Sequence, residues 1–398
     1  MFFSVILACK PWPPPAAGTR YFLYSPPSKV NNALMRSDIR GRVFPFSRTL
    51  VICLLMAGAA PAEDLSVRVL RQGVFEGYPA GKRNQSGDLV YFESSAVATD
   101  GKWVWFTGDK PSPSTTLSSV VQIPLARLTE KCVVPWSDAI PVMAPAFRLT
   151  QKIEATALAE NGLRFACTAF DRFVPETKVA DPYNIVIAWR GNDMRETVIL
   201  NATTRDEGTS SIVLREPIRA ALKDSEWPEG PPYFKIEGLA ALPGNRLWFG
   251  VRESGKDGRK PEDFRCRFTV LETEWEEKDG RIAIRPEFRK VFDASPEQLG
   301  AAGITGVGLG LSSLEYDAGR GIVWAVASWE EATTETTKEK DTGNGSWLLA
   351  LTTGDGLELP KIVPVSGIDS DGRPLSFTSK VESLCRVGGH TRLLVSDE

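Results

Sequence analysis

Short apolar runs rich in aromatic and β-branched residues alternate along the chain with glycine-containing turns. Residues 103–106, for example, follow the turn Asp100-Gly101, and residues 163–169 follow Asn161-Gly162. Turns of this kind favour positive φ and join antiparallel strands, so each such pair of runs predicts a β-hairpin. The chain is therefore predicted to be all-β.

The hairpins form a repeat that begins at an apolar residue followed by a glutamate and small residues. These glutamates are Glu93, Glu154, Glu237 and Glu382, at intervals of 61, 83 and 145 residues. The longest interval contains a degenerate copy in which Leu311 stands where the others have glutamate. Further strand-like runs follow the hairpins, as at residues 119–125 and 132–136, which makes each unit four-stranded. Tandem four-stranded units predict a β-propeller, whereas a β-sandwich does not predict a glutamate recurring at matched strand starts.

The number of blades is left between five and six. Five repeats are visible, and residues 212–214 offer a candidate strand for a sixth. The last hairpin needs outer strands from elsewhere, and residues 65–75 are a suitable donor. We expect a β-propeller of five or six four-stranded blades over residues 63–398.

Residues 35–62 are predicted to be a secretory signal peptide. Met35 opens a basic segment, an apolar stretch covers residues 50–60, and Ala60-Pro61-Ala62 has the small residues of a cleavage site. Residues 1–34 would then precede the true start at Met35, the alternative being a functional extension. The sequence thus predicts export to the periplasm or the medium.

The charge of the chain disfavours some classes of binding partner, and its cysteine content bears on disulfides and zinc. The part after residue 62 has 40 basic and 49 acidic residues, a formal charge of −9, and lacks the basic clusters that nucleic acids and anionic membranes require. No apolar run reaches the ~18 residues of a membrane span. We expect a monomer with no nucleic acid partner. The cysteines of this part are Cys132, Cys167, Cys266 and Cys385, and we expect most of them to be free and buried rather than joined in a disulfide framework. The sequence has no C-x-x-C motif, so it does not predict a structural zinc site.

Each complete repeat also ends in a second acid. The pairs are Glu93 with Asp109, Glu154 with Asp171, Glu237 with Glu253, and Glu382 with Asp397, separated by 16, 17, 16 and 15 residues. In an antiparallel hairpin the start of one strand lies beside the end of the next. All eight acids are therefore candidates for one end of the central channel.

Two interpretations of these acids remain open. They could supply oxygen ligands for a hard cation such as Ca²⁺ or coupled acids and bases. Alternatively, each glutamate could brace the neighbouring blade by accepting its backbone N–H groups. The third pair is the best catalytic candidate, because Gly238 permits close backbone approach and Arg252 beside Glu253 could hold an anionic group or form a salt bridge.

Common catalytic motifs are missing from the sequence. It has no G-x-S-x-G, P-loop or H-E-x-x-H motif, and its one histidine, His390, lies in a turn at the opposite end of its hairpin from the acids. Histidine-dependent hydrolysis is thus disfavoured. The tryptophans on second strands (Trp103, Trp105, Trp248 and Trp324) are expected to pack between blades rather than to stack on sugars.

Residues 235–240 (KIEGLA) followed by residues 246–253 (RLWFGVRE) resemble the blade motif of phytase-like and esterase-like propeller proteins, and residues 92–95 through 107–110 are similar to the first blade of that family. The family is exported, mostly bacterial and mostly uncharacterised. The resemblance implies Ca²⁺ as a cofactor, with Glu237 and Glu253 as candidate ligands. The chain departs from it in lacking an Asp-Asp-Pro-Ala opening.

Two functions follow as hypotheses. The first is an exported propeller whose acidic mouth binds a ligand or partner, such as a protein or glycan of the cell envelope. The alternative is a calcium-assisted hydrolase of small anionic phosphoesters or esters, with Glu237, Glu253 and Arg252 as catalytic residues. The residues leave open whether the protein is an enzyme.

Overall fold

The computed structural model describes residues 19–24, 66–79, 81–84, 86–110, 117–172, 178–191, 194–205, 208–330, 344–352, 362–368, 377, 379–388 and 391–397. The predicted leader at residues 35–62 and His390 lie outside this part of the chain, so the leader stays a prediction. Across the described ranges, no helix is long and apolar enough to cross a membrane.

The described strands are, in chain order, β1 (Thr19–Tyr24), β2 (Ser66–Phe75), β3 (Ser94–Thr99), β4 (Trp103–Gly108), β5 (Val120–Pro124), β6 (Val133–Val134), β7 (Ile140–Pro141), β8 (Ile153–Leu158), β9 (Leu163–Thr168), β10 (Val186–Arg190), β11 (Val198–Ile199), β12 (Thr203–Arg205), β13 (Gly208–Ser210), β14 (Tyr233–Leu242), β15 (Arg246–Gly255), β16 (Phe264–Lys278), β17 (Arg281–Ile284), β18 (Arg289–Ala294), β19 (Gly310–Asp317), β20 (Ile322–Glu330), β21 (Asn344–Thr352), β22 (Ile362–Pro364), β23 (Ser366–Ile368), β24 (Val381–Gly388) and β25 (Thr391–Asp397). The helices are α1 (Leu125–Glu130), α2 (Pro145–Leu149), α3 (Arg215–Ala221) and α4 (Pro296–Ala301).

These strands build a propeller-like arrangement of sheets in which most neighbouring strands are antiparallel. Sheet 1 has the order β3-β4-β5-β7, sheet 2 β8-β9-β10-β11, sheet 3 β14-β15-β16 with β17 and β18 both on β16, and sheet 4 β19-β20-β21-β22. Sheet 5 contains β24-β25-β1-β2-β23, with β6 on β2. The inner strands β3, β8, β14, β19 and β24 contact one another in succession, and β24 also contacts β3. The all-β, propeller-like prediction is confirmed.

Apolar side chains fill the spaces between neighbouring sheets. One cluster joins sheets 2 and 3 around Phe165 and Phe249, and others join sheets 1 and 2, 3 and 4, 4 and 5, and 5 and 1. Trp105, Trp248 and Trp324 are buried in these clusters. The prediction that these tryptophans pack between sheets is confirmed.

Hydroxyl side chains on the inner strands add polar links between sheets. Ser383 accepts a hydrogen bond from the backbone N–H of Val97 at 3.2 Å, and Ser313 accepts one from Leu384 at 3.2 Å. Thr156 donates to the carbonyl of Val97 at 2.7 Å. Serine and threonine therefore brace neighbouring sheets at these points, a role that one of the two interpretations of the sequence gave to the glutamates.

Sheet 5 joins the two ends of the described chain. Its strand β2 supplies an outer strand, as predicted for residues 65–75, but β1 lies between β2 and β25 and pairs antiparallel with both. The run at residues 132–136 was expected to complete sheet 1. Its strand β6 instead pairs in parallel with β2, and β7 takes the fourth place in sheet 1.

One further local expectation changes, whereas the expectation that most of the cysteines are free holds. Residues 212–214, a candidate strand for a sixth blade, form a 3₁₀ turn, Ile212–Leu214, that leads into α3. Cys167, Cys266 and Cys385 are free, as expected, whereas Cys132 is disulfide-bonded.

Two glycines let sheets 3 and 4 approach closely. Gly238 and Gly250 face each other across β14 and β15, and a Cβ atom on Gly238 would lie 2.7 Å from Leu311 Cδ2 and 2.9 Å from Leu314 Cγ. A Cβ on Gly250 would also collide with Leu311. Gly238, which the sequence suggested for close approach of a ligand, makes room for leucines of the next sheet.

Gly250→Ala should therefore lower the free energy of unfolding by about 1–3 kcal/mol, because the added methyl group overpacks this contact. The matched control is Gly300→Ala in α4, where an added Cβ would meet no atom within 4 Å and should raise stability by about 0.5–1 kcal/mol. Urea denaturation of both variants measures the two effects. Equal behaviour of the two would contradict this account of the contact.

Candidate functional site

A lysine precedes three of the repeat glutamates by two residues, at Lys152, Lys235 and Lys380. The sequence reasoning treated the acids alone and overlooked this spacing. In the structure each lysine contacts the glutamate that follows it: Lys152 Nζ lies 3.8 Å from Glu154, Lys235 contacts Glu237, and Lys380 Nζ lies 2.8 Å from Glu382. The inner ends of these strands therefore carry paired charges rather than acids alone.

A β-bulge places these glutamates. Strand register shifts at Glu154, between Ile153 and Ala155, and in the same way at Glu237 and Glu382. Bulges re-aim side chains and are frequent beside functional sites. The corresponding shifts in sheets 1 and 4 fall at Ser95 and Ser312.

The bulges correct the alignment of the repeats. Ser95 occupies the glutamate position in sheet 1, so Glu93 matches the lysine two residues earlier. In sheet 4 Ser312 occupies that position and Leu311 matches Ile236. Leu311 is thus not the residue that replaces a glutamate.

The first two acid pairs each share a lysine. Lys110 Nζ lies 2.9 Å from Glu93 and 3.1 Å from Asp109 in a partly exposed group. Burial raises the pKa of Asp109 despite the neighbouring Lys110. In the second pair, Lys152 contacts Asp171 as well as Glu154.

In the third pair, Arg252 lies between the two acids. Its Nη1 lies 3.2 Å from Glu237 and its Nε 3.6 Å from Glu253. Arg252 also donates hydrogen bonds to Ser312 and, at 3.2 Å, to Ser328 of sheet 4. The Tyr233 hydroxyl donates to Glu253 at 2.5 Å. The salt-bridge alternative for Arg252 is confirmed, and the guanidinium is occupied in joining sheets 3 and 4.

The fourth pair is described in part. Glu382 contacts Lys380, and Asp397 is the last residue of β25, with its side chain outside the described part of the structure.

Lys235 connects two sheets through buried charge. Its Nζ contacts Glu237 on its own strand and lies 3.5 Å from Glu154 Oε1 of sheet 2. Both carboxylates are almost fully buried, at 2% and 4% exposure. Glu382 is close enough to raise the pKa of Glu154 and of Arg252. The structure therefore brings Glu154, Glu237 and Glu382 together, and Glu93 lies with Asp109 and Lys110 in the partly exposed group.

The two carboxylates that share Lys235 differ in acidity. Burial raises the pKa of Glu154 to about 7, although Lys235 opposes the shift. Burial also disfavours ionisation of Glu237, but Arg252 and Lys235 outweigh it and lower the pKa of Glu237 to about 2. At neutral pH Glu237 is ionised, whereas Glu154 is divided between its protonated and ionised forms.

The donor set does not fit the calcium ion that the family resemblance implies. Ca²⁺ takes about six to eight oxygen ligands, whereas the ammonium groups of Lys110, Lys152 and Lys235 already lie against these carboxylates. Across the described residues, no group of three or more His, Cys, Asp and Glu side chains is placed to hold a metal. These carboxylates are therefore better suited to the lysine ammonium groups than to a calcium ion.

Two buried carboxylate oxygens accept no hydrogen bond within the described part of the chain: Asp109 Oδ1 and Asp171 Oδ1. They follow the second strands of sheets 1 and 2, at the ends where the acid pairs lie. Buried carboxylate oxygens without a partner are costly. They mark places where a bound molecule could donate hydrogen bonds.

Comparison with known proteins gives likenesses of low similarity. No family model matches the chain, and no curated protein matches it. The chain is similar to the catalytic domain of Microbacterium saccharophilum K-1 beta-fructofuranosidase, with 9% identity and a TM-score of 0.33 over 57% of this chain and 54% of that one. It thus spans about half the length of that domain. It is also similar to a member of the DUF4221 family from Bacteroides vulgatus, with 10% identity and a TM-score of 0.29 over 83% and 82% of the two chains. The phytase-like resemblance stays a prediction.

Opposite pH responses are expected for two glutamine variants. The pKa of Glu154 is higher in the folded protein than the ordinary glutamate value of 4.5, so its contribution to stability falls as pH rises from about 4.5 through 7. Glu154→Gln should therefore gain about 1–3 kcal/mol relative to wild type between pH 5 and pH 8. Urea denaturation at the two pH values measures this.

Glu237→Gln is the matched comparison. Its folded pKa is depressed, so its stabilisation is present above about pH 4.5 and is lost as pH falls through 2. Removing this charge leaves Lys235 and Arg252 partly unpaired and should cost about 3–5 kcal/mol at both pH 5 and pH 8. Identical pH profiles for the two variants would refute the assignment of their protonation states.

Proposed function

We propose that the protein is a binding propeller whose channel mouth takes a hydroxyl-rich ligand such as a glycan. The proposal rests on two carboxylate oxygens, Asp109 Oδ1 and Asp171 Oδ1, that accept no hydrogen bond among the described residues. They require hydrogen-bond donors, and sugar hydroxyl groups are donors. The ring is taken as five-bladed, because β12 and β13 form only a two-stranded ribbon and Ile212–Leu214 is a 3₁₀ turn.

A neutral donor suits this site better than a cation does. Both carboxylates already contact a lysine, which is Lys110 for Asp109 and Lys152 for Asp171. A further positive charge would be repelled by these groups at close range. Hydroxyl groups add hydrogen bonds without adding charge, so a sugar is favoured over Ca²⁺ and over an amine.

The binding test uses a glycan array followed by calorimetry with an oligosaccharide that the array retains. Asp171→Asn should weaken binding at least roughly tenfold, since it removes a charged acceptor. Asp279→Asn is the control, because Asp279 is exposed in the turn between β16 and β17, at the opposite end of β16 from the part that pairs with Glu253, and it should bind as wild type does.

Calcium chloride is titrated in parallel while the melting temperature is followed. No saturable rise is expected, because the lysines occupy the positive side of the site. A saturable rise that disappears in Glu237→Gln/Glu253→Gln would replace glycan binding by metal binding. Retention of no glycan, or equal affinity of wild type and Asp171→Asn, would overturn the proposal.

A hydrolase is the second candidate, and the acidity of the central pair favours it. Glu154 titrates near pH 7 and Glu237 stays ionised, and carboxylates whose pKa values diverge in this way divide the roles of acid and base. Glu154 would protonate the leaving oxygen of an ester or phosphoester while a water molecule attacks the carbonyl carbon or the phosphorus. The proton that this water loses returns to Glu154 through solvent, and Glu237 remains the anionic partner. Arg252 is already committed to Glu237, Glu253 and two serines, so its role is to hold Glu237.

Hydrolysis of p-nitrophenyl acetate and p-nitrophenyl phosphate tests this candidate. An enzyme of this kind should lose activity in Glu154→Gln and show a rate that changes with an apparent pKa near 7. Asp279→Asn again serves as the control. Activity that survives Glu154→Gln would exclude this role for Glu154.

A further inference from the structure

A second buried charge cluster lies at the opposite end of the channel strands, between sheets 4 and 5. It consists of Glu315 and Asp317 at the end of β19, Arg320 in the following turn, and Arg392 at the start of β25. Arg320 and Arg392 side chains are 4% and 3% exposed. The cluster shares no residue with the site at the mouth.

Asp317 is fully used by this cluster. Its Oδ2 accepts hydrogen bonds from Arg320 Nη1 and Arg392 Nη2, each at 2.6 Å, and from the Trp324 indole N–H at 3.3 Å. Its Oδ1 accepts the backbone N–H of Gly319 at 3.0 Å. Asp317 therefore has no capacity for the remaining donors of the two arginines.

Several arginine donors are left over. Arg320 Nε and Nη2 and Arg392 Nη1 are buried and have no hydrogen-bond partner among the described residues. Nε and Nη2 form one edge of the Arg320 guanidinium, and that edge is the one that binds a carboxylate or phosphate through two parallel hydrogen bonds. Buried guanidinium donors without acceptors are unfavourable, so this edge suits an acceptor that the described residues do not supply.

The charge balance also favours an anion. Arg320 and Arg392 face Asp317 and Glu315, with Arg392 Nε 2.5 Å from Glu315. Burial raises the pKa of Glu315 and Arg392 opposes that shift, while the exposed Arg386, opposite Arg392 across β24 and β25, adds a third positive charge at the edge of the cluster. Three cations against two carboxylates leave room for one negative charge.

We propose that Arg320 and Arg392 form an oxyanion-binding site that takes a phosphate or carboxylate group of a small molecule. Arg320 holds the group through Nε and Nη2, and Arg392 Nη1 adds a third donor. The exposed turn residues Ala318 and Gly319 lie next to the site, so the group reaches it from the surface at this end of the ring.

Calorimetry at constant ionic strength tests the proposal on the full chain, with inorganic phosphate and acetate as the two probes. Wild type should bind one of them saturably, and the probe that binds identifies phosphate or carboxylate as the recognised group. Arg320→Gln should weaken binding roughly tenfold to a hundredfold, since it removes the two-point contact.

A second variant, Arg320→Lys, separates loss of binding from loss of folding, because Arg320→Gln removes a charge beside Asp317 and could fail to fold. Lysine keeps the charge beside Asp317 but cannot offer two parallel N–H groups, so it should fold and still bind at least roughly tenfold more weakly. Arg246→Gln is the matched control at the same end of sheet 3, because Arg246 Nε is satisfied by the carbonyl of Pro243 at 3.1 Å. It should leave binding unchanged.

Two results would overturn the proposal. Absence of saturable binding of both probes to wild type would mean that water satisfies the arginine donors. Equal affinity of wild type and Arg320→Lys would mean that the anion binds elsewhere. Neither result bears on glycan binding at the mouth, because the two sites share no residue.

Discussion

Ion pairing of buried charge is the constraint on which the inner part of this ring depends. Glu154 and Glu237 are almost fully buried and belong to different sheets, yet both contact the ammonium group of Lys235. A buried charge without a counter-charge costs several kcal/mol, so the strands must keep these groups in register. The same requirement ties Arg252 to Glu237, and through Ser312 it reaches sheet 4.

This constraint separates two kinds of polar group at the channel. Oxygens that face lysine or arginine stabilise the ring and are not available to a ligand. Oxygens such as Asp171 Oδ1, on the far side of the same carboxylate from its lysine, have no internal use. Stability and recognition are thus assigned to different atoms of one side chain, which lets a ligand bind without breaking the ion pairs.

The fold was predictable because its signals are local. Turns such as Asp100-Gly101 and the apolar runs around them indicate hairpins, and their repetition indicates a ring. Long-range pairings carry no such signal. The insertion of β1 between β25 and β2, and the pairing of β6 with β2, depend on strands distant in sequence.

The site was predictable in part. The acids at Glu154, Glu237 and Glu382 do converge, because antiparallel geometry places matched strand ends together. Their chemistry was misread, because a bulge is not visible in an apolar pattern and its omission shifted Glu93 and Leu311 into positions that belong to Ser95 and Ser312. A lysine lies two residues before each of these three glutamates in the sequence, and this spacing could have predicted the ion pairs.

The contact of Leu311 with Gly238 and Gly250 limits how these three positions can change during evolution. A side chain larger than hydrogen at either glycine is compatible with the ring only if position 311 becomes smaller, and a smaller residue at 311 leaves a void unless a glycine is replaced. Substitutions at the three positions are therefore tolerated only when they occur together. Related chains should show substitutions there that are correlated across two blades, although nothing in the local sequence of either blade would reveal the link.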